Sequence, residues 1–185
     1  MFLVDRVLED RSFSINAKVR SFCICILASF LIALFAKLRI YLPFSPIPIV
    51  LQMQIVFALA LFLGPKKAAF TVVLFLAQGA IGLPVFSGLG LFSVSGGYLL
   101  GYFFAAIAIG KLIEHRRTYM GAFLAVTIGQ LIVYLCDISV LYCYLGLKSS
   151  IIVGIVPFCI PDLFKNLLLI KFLKSAKWAE KACIN

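Results

Sequence analysis

The stretch IIVGIVPFCIPDLFKNLLLIKFL, residues 151–173, decides how this chain folds. It is apolar along most of its length. At about 1.5 Å per residue it is long enough, as a helix, to cross a hydrocarbon core of about 30 Å. Lys148 and Lys171 mark its two ends, which puts Asp162 and Lys165 near mid-span, where each charge costs about 2.5–3.5 kcal/mol on insertion scales. Both must therefore face protein or a solvated cavity rather than lipid. Their spacing of three residues places them on one helix face, with Cβ atoms about 5–6 Å apart, so that they can neutralise each other.

The rest of the chain has the same character. Of its 185 residues 64% are apolar or aromatic and 13% charged, and the mean hydropathy is +1.14. A water-soluble domain cannot hide that much apolar surface. The basic residues behind the net charge of +10 are scattered between apolar runs rather than forming a phosphate track, which excludes nucleic acid as the partner. Cys23, Cys25, Cys136, Cys143, Cys159 and Cys183 form no CxxC pair and have no histidine beside them, so they read as small apolar side chains. The single histidine, His115, falls in a polar turn. No metal, cofactor or enzyme motif is present, and an ATP-driven pump would need a separate subunit.

These features predict an all-α membrane protein of about six transmembrane helices, with irregular outer loops between helices one and two and between helices three and four. Residues 1–20 form a polar lead segment, 21–173 the six-helix domain and 174–185 a basic tail. The first apolar run, Ser21 to Ala36, lacks a small-x-small cleavage signature and reads as a retained helix. Prolines 43, 46 and 48 interrupt helix formation before helix two, Ile49 to Leu63, which stops at Gly64-Pro65. Helix three follows from Ala68 to Ile81. The glycine-rich stretch 82–95 cannot face lipid and must be covered by protein or line a cavity. Helices four, five and six are expected over Gly96–Ile113, Thr118–Leu147 and Ile151–Leu173. With both termini cytoplasmic, the lead, Lys66 and Lys67, Lys111, Arg116 and Arg117, and the lysine-rich tail fall inside, leaving Lys37, Arg39 and Lys148 outside.

Few polar residues lie at depth. A carboxylate accepts N–H hydrogen bonds and an ammonium donates to a carbonyl, so Asp162 and Lys165 together suit a neutral ligand that carries both groups. The alternative is a purely structural pair: Pro161 followed by Asp162 also resembles a helix start, with an acid near the positive end of the dipole. Gln52 and Gln54 can donate and accept across a cavity or bond a neighbouring helix. Tyr98, after Gly96 and Gly97, is a pocket candidate or an aromatic belt residue, and Asp137 is expected near the outer interface with Tyr134 and Tyr142. Ser29 and Ala33 stand at small-xxx-small spacing on helix one, a surface that lets another helix approach, from within the chain or from a partner.

Four stretches resemble one family: PFSPIPIVLQ at 43–52, GAIGLPVF at 79–86, SGGYLLG at 95–101 and PFCIPDLFK at 157–165. In this order and spacing they look like the BioY proteins, the biotin-specific substrate-binding (S) components of energy-coupling factor (ECF) transporters. The resemblance implies a six-helix bundle in a bacterial cell membrane, binding biotin near the outer side, with Asp162 and Lys165 on the ureido ring and Gln52, Phe86 and Tyr98 near the pocket. It also implies a transmembrane coupling protein and cytosolic ATPases as partners, with Ser29 and Ala33 as candidate docking residues. For the biotin carboxylate, Lys37, Arg39 and the amides of the 82–95 loop are alternatives. Two departures stand out: the family usually carries threonine where this chain has Val50, and Gly-Pro-Thr before the Gly-Gly-Tyr where this chain has Ser93, Val94 and Ser95. A related S component for riboflavin or thiamine is the alternative within the class.

Overall fold

The computed structural model describes residues 17–40, 49–86, 96–115 and 117–175. Helix α1 spans Ala17–Ala36 and leads into strand β1, Arg39–Ile40, which pairs antiparallel with β2, Ile49–Val50, in a two-residue ladder. The helices that follow are α2 (Gln52–Ala80), α3 (Gly96–His115), α4 (Tyr119–Leu145), α5 (Leu147–Gly154) and α6 (Val156–Ser175). Most of the expected lead segment, most of the basic tail, the proline-rich loop and most of the glycine-rich stretch lie outside the described residues, and residues 17–20 of the lead already belong to α1.

Among the described residues five helical runs are long and apolar enough to cross a membrane, one fewer than expected. The difference lies in α2, where the expected helices two and three are joined as a single element of 29 residues. The backbone still leaves helical geometry where the sequence placed the boundary, at Gly64, with φ 79° and ψ 175°. That conformation disfavours any side chain, and Pro65 then opens the second arm at a position where its missing N–H is harmless. In α4, Thr118 caps the N-terminus by accepting from the Gly121 amide at 3.0 Å, and Gly146, at φ 74°, ends the helix.

The expected helix six is in fact two helices, α5 and α6, parted at Ile155. Pro157 has no amide to donate, and the Phe158 amide bonds the Ile155 carbonyl at 2.9 Å instead of reaching a full turn back to Gly154. The Gly154 carbonyl is thereby left for another donor.

Burial confirms an inside-out arrangement. Along α6 the buried residues are Phe158, Asp162, Asn166, Leu169 and Leu173, a single stripe at helical spacing. The opposite face exposes Ile160 (81%), Leu163, Phe164, Leu167, Leu168 and Phe172 (63%). Large apolar side chains also point outward from α1 and α4, Leu27 and Leu135 among them. In water such a surface would aggregate, whereas in lipid it is the stable one. The core holds Phe57, Phe75, Ile109, Ile113 and Leu141, all fully buried.

Glycines let the helices approach closely. A Cβ on Gly97 would lie 2.5 Å from the Asp137 Cα, and one on Gly110 would lie 2.4 Å from the Pro65 nitrogen, at the break in α2. Backbone atoms cannot yield as a flexible side chain can, so Gly110→Ala should force α3 away from the break. We expect a loss of about 1–3 kcal/mol, read as a lower unfolding midpoint of the detergent-solubilised protein. An unchanged midpoint would show that this approach is not made.

Candidate ligand-binding site

The site is built outward from α6. Asp162 lies in the buried stripe and Lys165 at its edge, and the Lys165 Nζ lies 2.5 Å from the Asp162 Oδ1, with the side chains only 3% and 11% exposed. The same ammonium donates to the Val50 carbonyl at 3.2 Å, tying α6 to the end of β2. The second carboxylate oxygen, Oδ2, accepts from the Tyr134 hydroxyl of α4 at 2.8 Å. A buried ion pair is tolerable only when its remaining hydrogen-bonding capacity is also met, and these two bonds meet part of it.

Behind the pair lies a polar chain. The Gln130 Nε2 donates to the Tyr134 hydroxyl at 2.7 Å, the Asn166 amide donates to the Gln130 Oε1, and the Gln54 Nε2 donates to the Asn166 Oδ1 at 3.1 Å. Of the two glutamines, Gln54 thus bonds a neighbouring helix. Gln52 is fully buried, and both its Nε2 and its Oε1 lack a protein partner. It sits between Val50, which holds Lys165, and Gln54, which holds Asn166.

Tyr98 is buried, and its hydroxyl donates to the Gly154 carbonyl at 2.8 Å, the acceptor released by the Pro157 break. Its ring meets Phe158 edge-on at 6.2 Å, one turn before Asp162. Phe86 caps the far end of α2: its ring lies where a Cβ on Gly79 would be and packs edge-on against Phe75 at 5.4 Å. The structure therefore sets Tyr98 against α6 one turn before Asp162, keeps Gln52 buried in the first turn of α2, two residues after the Val50 carbonyl that Lys165 bonds, and places Phe86 against the far end of α2.

Sequence reasoning missed Gln130 and Asn166 and placed Tyr134 in an interfacial belt. Their signal was spacing: Gln130, Tyr134 and Asp137 fall on one face of α4, and Asn166 lies four residues after Asp162. Asp137 was expected near the outer interface. It is instead fully buried, with both carboxylate oxygens unpartnered in the protein, where a Cβ on Gly154 would come within 3.0 Å of its Oδ2. Ser29 and Ala33 are buried too, and Ser29 accepts from the Gln78 Nε2 of α2 at 2.8 Å. That small-residue surface serves packing within the chain. Among the described residues no group of His, Cys, Asp and Glu is placed to hold a metal, and the described cysteines are free.

An apolar outer surface around an enclosed polar cluster defines a multi-pass helical membrane protein. Residues 9–181 match the model of the BioY family, and the chain belongs to that family. A biotin transporter BioY from Thermotoga maritima is 35% identical over 68% of this chain and 78% of its own length. A probable biotin transporter BioY from Rickettsia prowazekii is 34% identical over 79% of this chain and 80% of its own. A crystal structure of the S-component for biotin from an ECF-type ABC transporter matches with a TM-score of 0.77 at 25% identity, over 90% of this chain and 95% of that one.

An unpaired buried amide costs about 1–3 kcal/mol, a penalty that binding a polar ligand group would relieve. Gln52→Met keeps the shape and removes the penalty. We expect it to raise the unfolding midpoint of the ligand-free protein by the equivalent of about 1 kcal/mol. A lowered midpoint would mean that the Gln52 amide is satisfied within the bundle.

Proposed function

We propose that this chain is a biotin-binding membrane subunit that mediates biotin uptake as the S component of an ECF-type transporter, a transport protein rather than an enzyme. Family membership and the names of its relatives support the cargo. The observation that carries the site is the buried pair on α6, held by Tyr134 and the Val50 carbonyl. Biotin's head is a cyclic urea, neutral overall, with N–H donors and a C=O acceptor on one ring. Asp162 accepts from an N–H and Lys165 donates to the carbonyl. Gln52 supplies a further amide, and Tyr98 and Phe86 offer aromatic faces to the thiolane ring and the valerate chain.

The remaining assignments belong to the same reading. Residues 21–173 form the S-component domain, with the polar lead and the basic tail, and so both termini, on the cytoplasmic side of a bacterial cell membrane in accord with the distribution of Lys and Arg. A membrane-embedded coupling protein and cytosolic ATPases are the partners that drive transport. In this conformation such a partner meets the exposed residues of α1, Leu27, Phe30, Leu31 and Leu34, since Ser29 and Ala33 are turned inward.

Titration of the purified protein in nanodiscs with biotin, riboflavin and thiamine tests the cargo. We expect tight binding of biotin alone. Asp162→Asn and Lys165→Met, made separately, should each weaken biotin by about 2–5 kcal/mol, or roughly 30-fold to several thousand-fold, in protein that still folds. A fold that collapses in both variants, or a wild type indifferent to biotin, would leave the pair as a packing element only.

A further inference from the structure

Resting on the biotin reading, we propose that Tyr134, Gln130, Asn166 and Gln54 form a one-way hydrogen-bond relay that fixes Asp162 with a single oxygen facing the ligand, making Tyr134 a positioning residue for specificity. The direction of each bond carries the argument. Gln54 donates to Asn166, Asn166 to Gln130, Gln130 to Tyr134, and Tyr134 to the Asp162 Oδ2. Every link points the same way and the last ends on the carboxylate. Each donor is polarised by the donor behind it, so the final bond is stronger than a lone tyrosine would make. All five residues are buried, and they come from α2, α4 and α6, so water does not compete and no single helix sets the geometry.

The consequence is that the two oxygens of Asp162 are not equivalent. Oδ2 is committed to Tyr134, while Oδ1 faces Lys165, the side on which a donor and an acceptor are offered together. A carboxylate free to turn would tolerate ligands that present their N–H at several angles. One clamped through Oδ2 accepts a donor along one direction and sets its lone pairs against any ligand atom that is itself an acceptor there. The relay converts a charge into a directional reader of one ring N–H.

The test uses biotin and its two cyclic carbamate analogues, in which one or the other ring N–H is replaced by oxygen, with the full-length protein in nanodiscs. The wild type should reject one analogue much more strongly than the other, by about 100-fold relative to biotin. Tyr134→Phe should weaken biotin about tenfold, the scale of one lost hydrogen bond, and shrink the ratio between biotin and the rejected analogue at least about fivefold. A merely structural tyrosine would weaken all three ligands alike and leave the ratio unchanged, which overturns the inference, as does a wild type that treats the analogues equally. Gln130→Met, which keeps the Tyr134 hydroxyl and removes its donor, should shift the ratio in the same direction and carries the test should Tyr134→Phe not fold. Failure of both variants to fold would make the chain a packing element and overturn the proposal. A wild type that does not bind biotin overturns the biotin reading and this inference with it, whereas biotin binding with an unchanged ratio overturns this inference alone.

Discussion

A carboxylate and an ammonium enclosed in an apolar bundle must neutralise each other and fill their hydrogen-bonding capacity, and much of this structure follows from that constraint. Taking either charge out of water costs several kcal/mol, and their mutual attraction offsets the cost only when the geometry is good and the remaining lone pairs and protons find partners. The i,i+3 spacing on α6 supplies the geometry. The partners come from elsewhere: a tyrosine on α4 and a backbone carbonyl at the end of β2. Neither α4 nor β2 could shift far without stranding a buried charge, so the pair acts as a restraint on the relative placement of three elements.

The prolines of the last apolar run belong to the same arrangement. An uninterrupted helix from 147 to 175 would use the Gly154 carbonyl internally, as an acceptor for the amide four residues on. Because Pro157 has no amide and the Phe158 amide turns back to Ile155, the Gly154 carbonyl becomes an acceptor, and the Tyr98 hydroxyl takes it. A broken helix at membrane depth is stable only where protein satisfies the freed groups, and here a side chain on α3 does so. Gly97, next in sequence to that tyrosine, allows the backbone approach to α4 that brings Tyr98 into reach.

Membrane character, the helix boundary at Gly64, and the shared face of Asp162 and Lys165 were legible in the sequence because each follows from local chemistry: apolar length, a glycine-proline stop, and helical period. The separation of α5 from α6 was not expected, although Pro157 and Pro161 signalled it, because a proline in a membrane helix is equally compatible with a mild bend. Tyr134, Gln130 and Asn166 were hidden for a different reason. Polar residues in apolar helices are ambiguous until their partners are known, and apart from the Gln130–Tyr134 bond within α4 these partners lie 28 or more residues apart in sequence. Asp137 illustrates the converse. Counting residues from Arg117 placed it at an interface, yet the glycines at 97 and 154 let backbone close over it.

The arithmetic of donors and acceptors suits the proposed site to a neutral head group. Lys165 has three N–H donors, of which Asp162 and the Val50 carbonyl use two, leaving one for a ligand carbonyl. Asp162 has committed one lone pair on each oxygen and keeps a second on each, so that a ligand N–H can still be accepted. A urea can therefore be added without breaking the pair, and the site is neutral before and after it binds. A ligand head carrying a charge of its own would leave that charge uncompensated where the surroundings screen it poorly. Discrimination then rests on the count of open bonds as much as on shape, because any ring lacking either the donor or the acceptor leaves one member of a buried ion pair short of a partner.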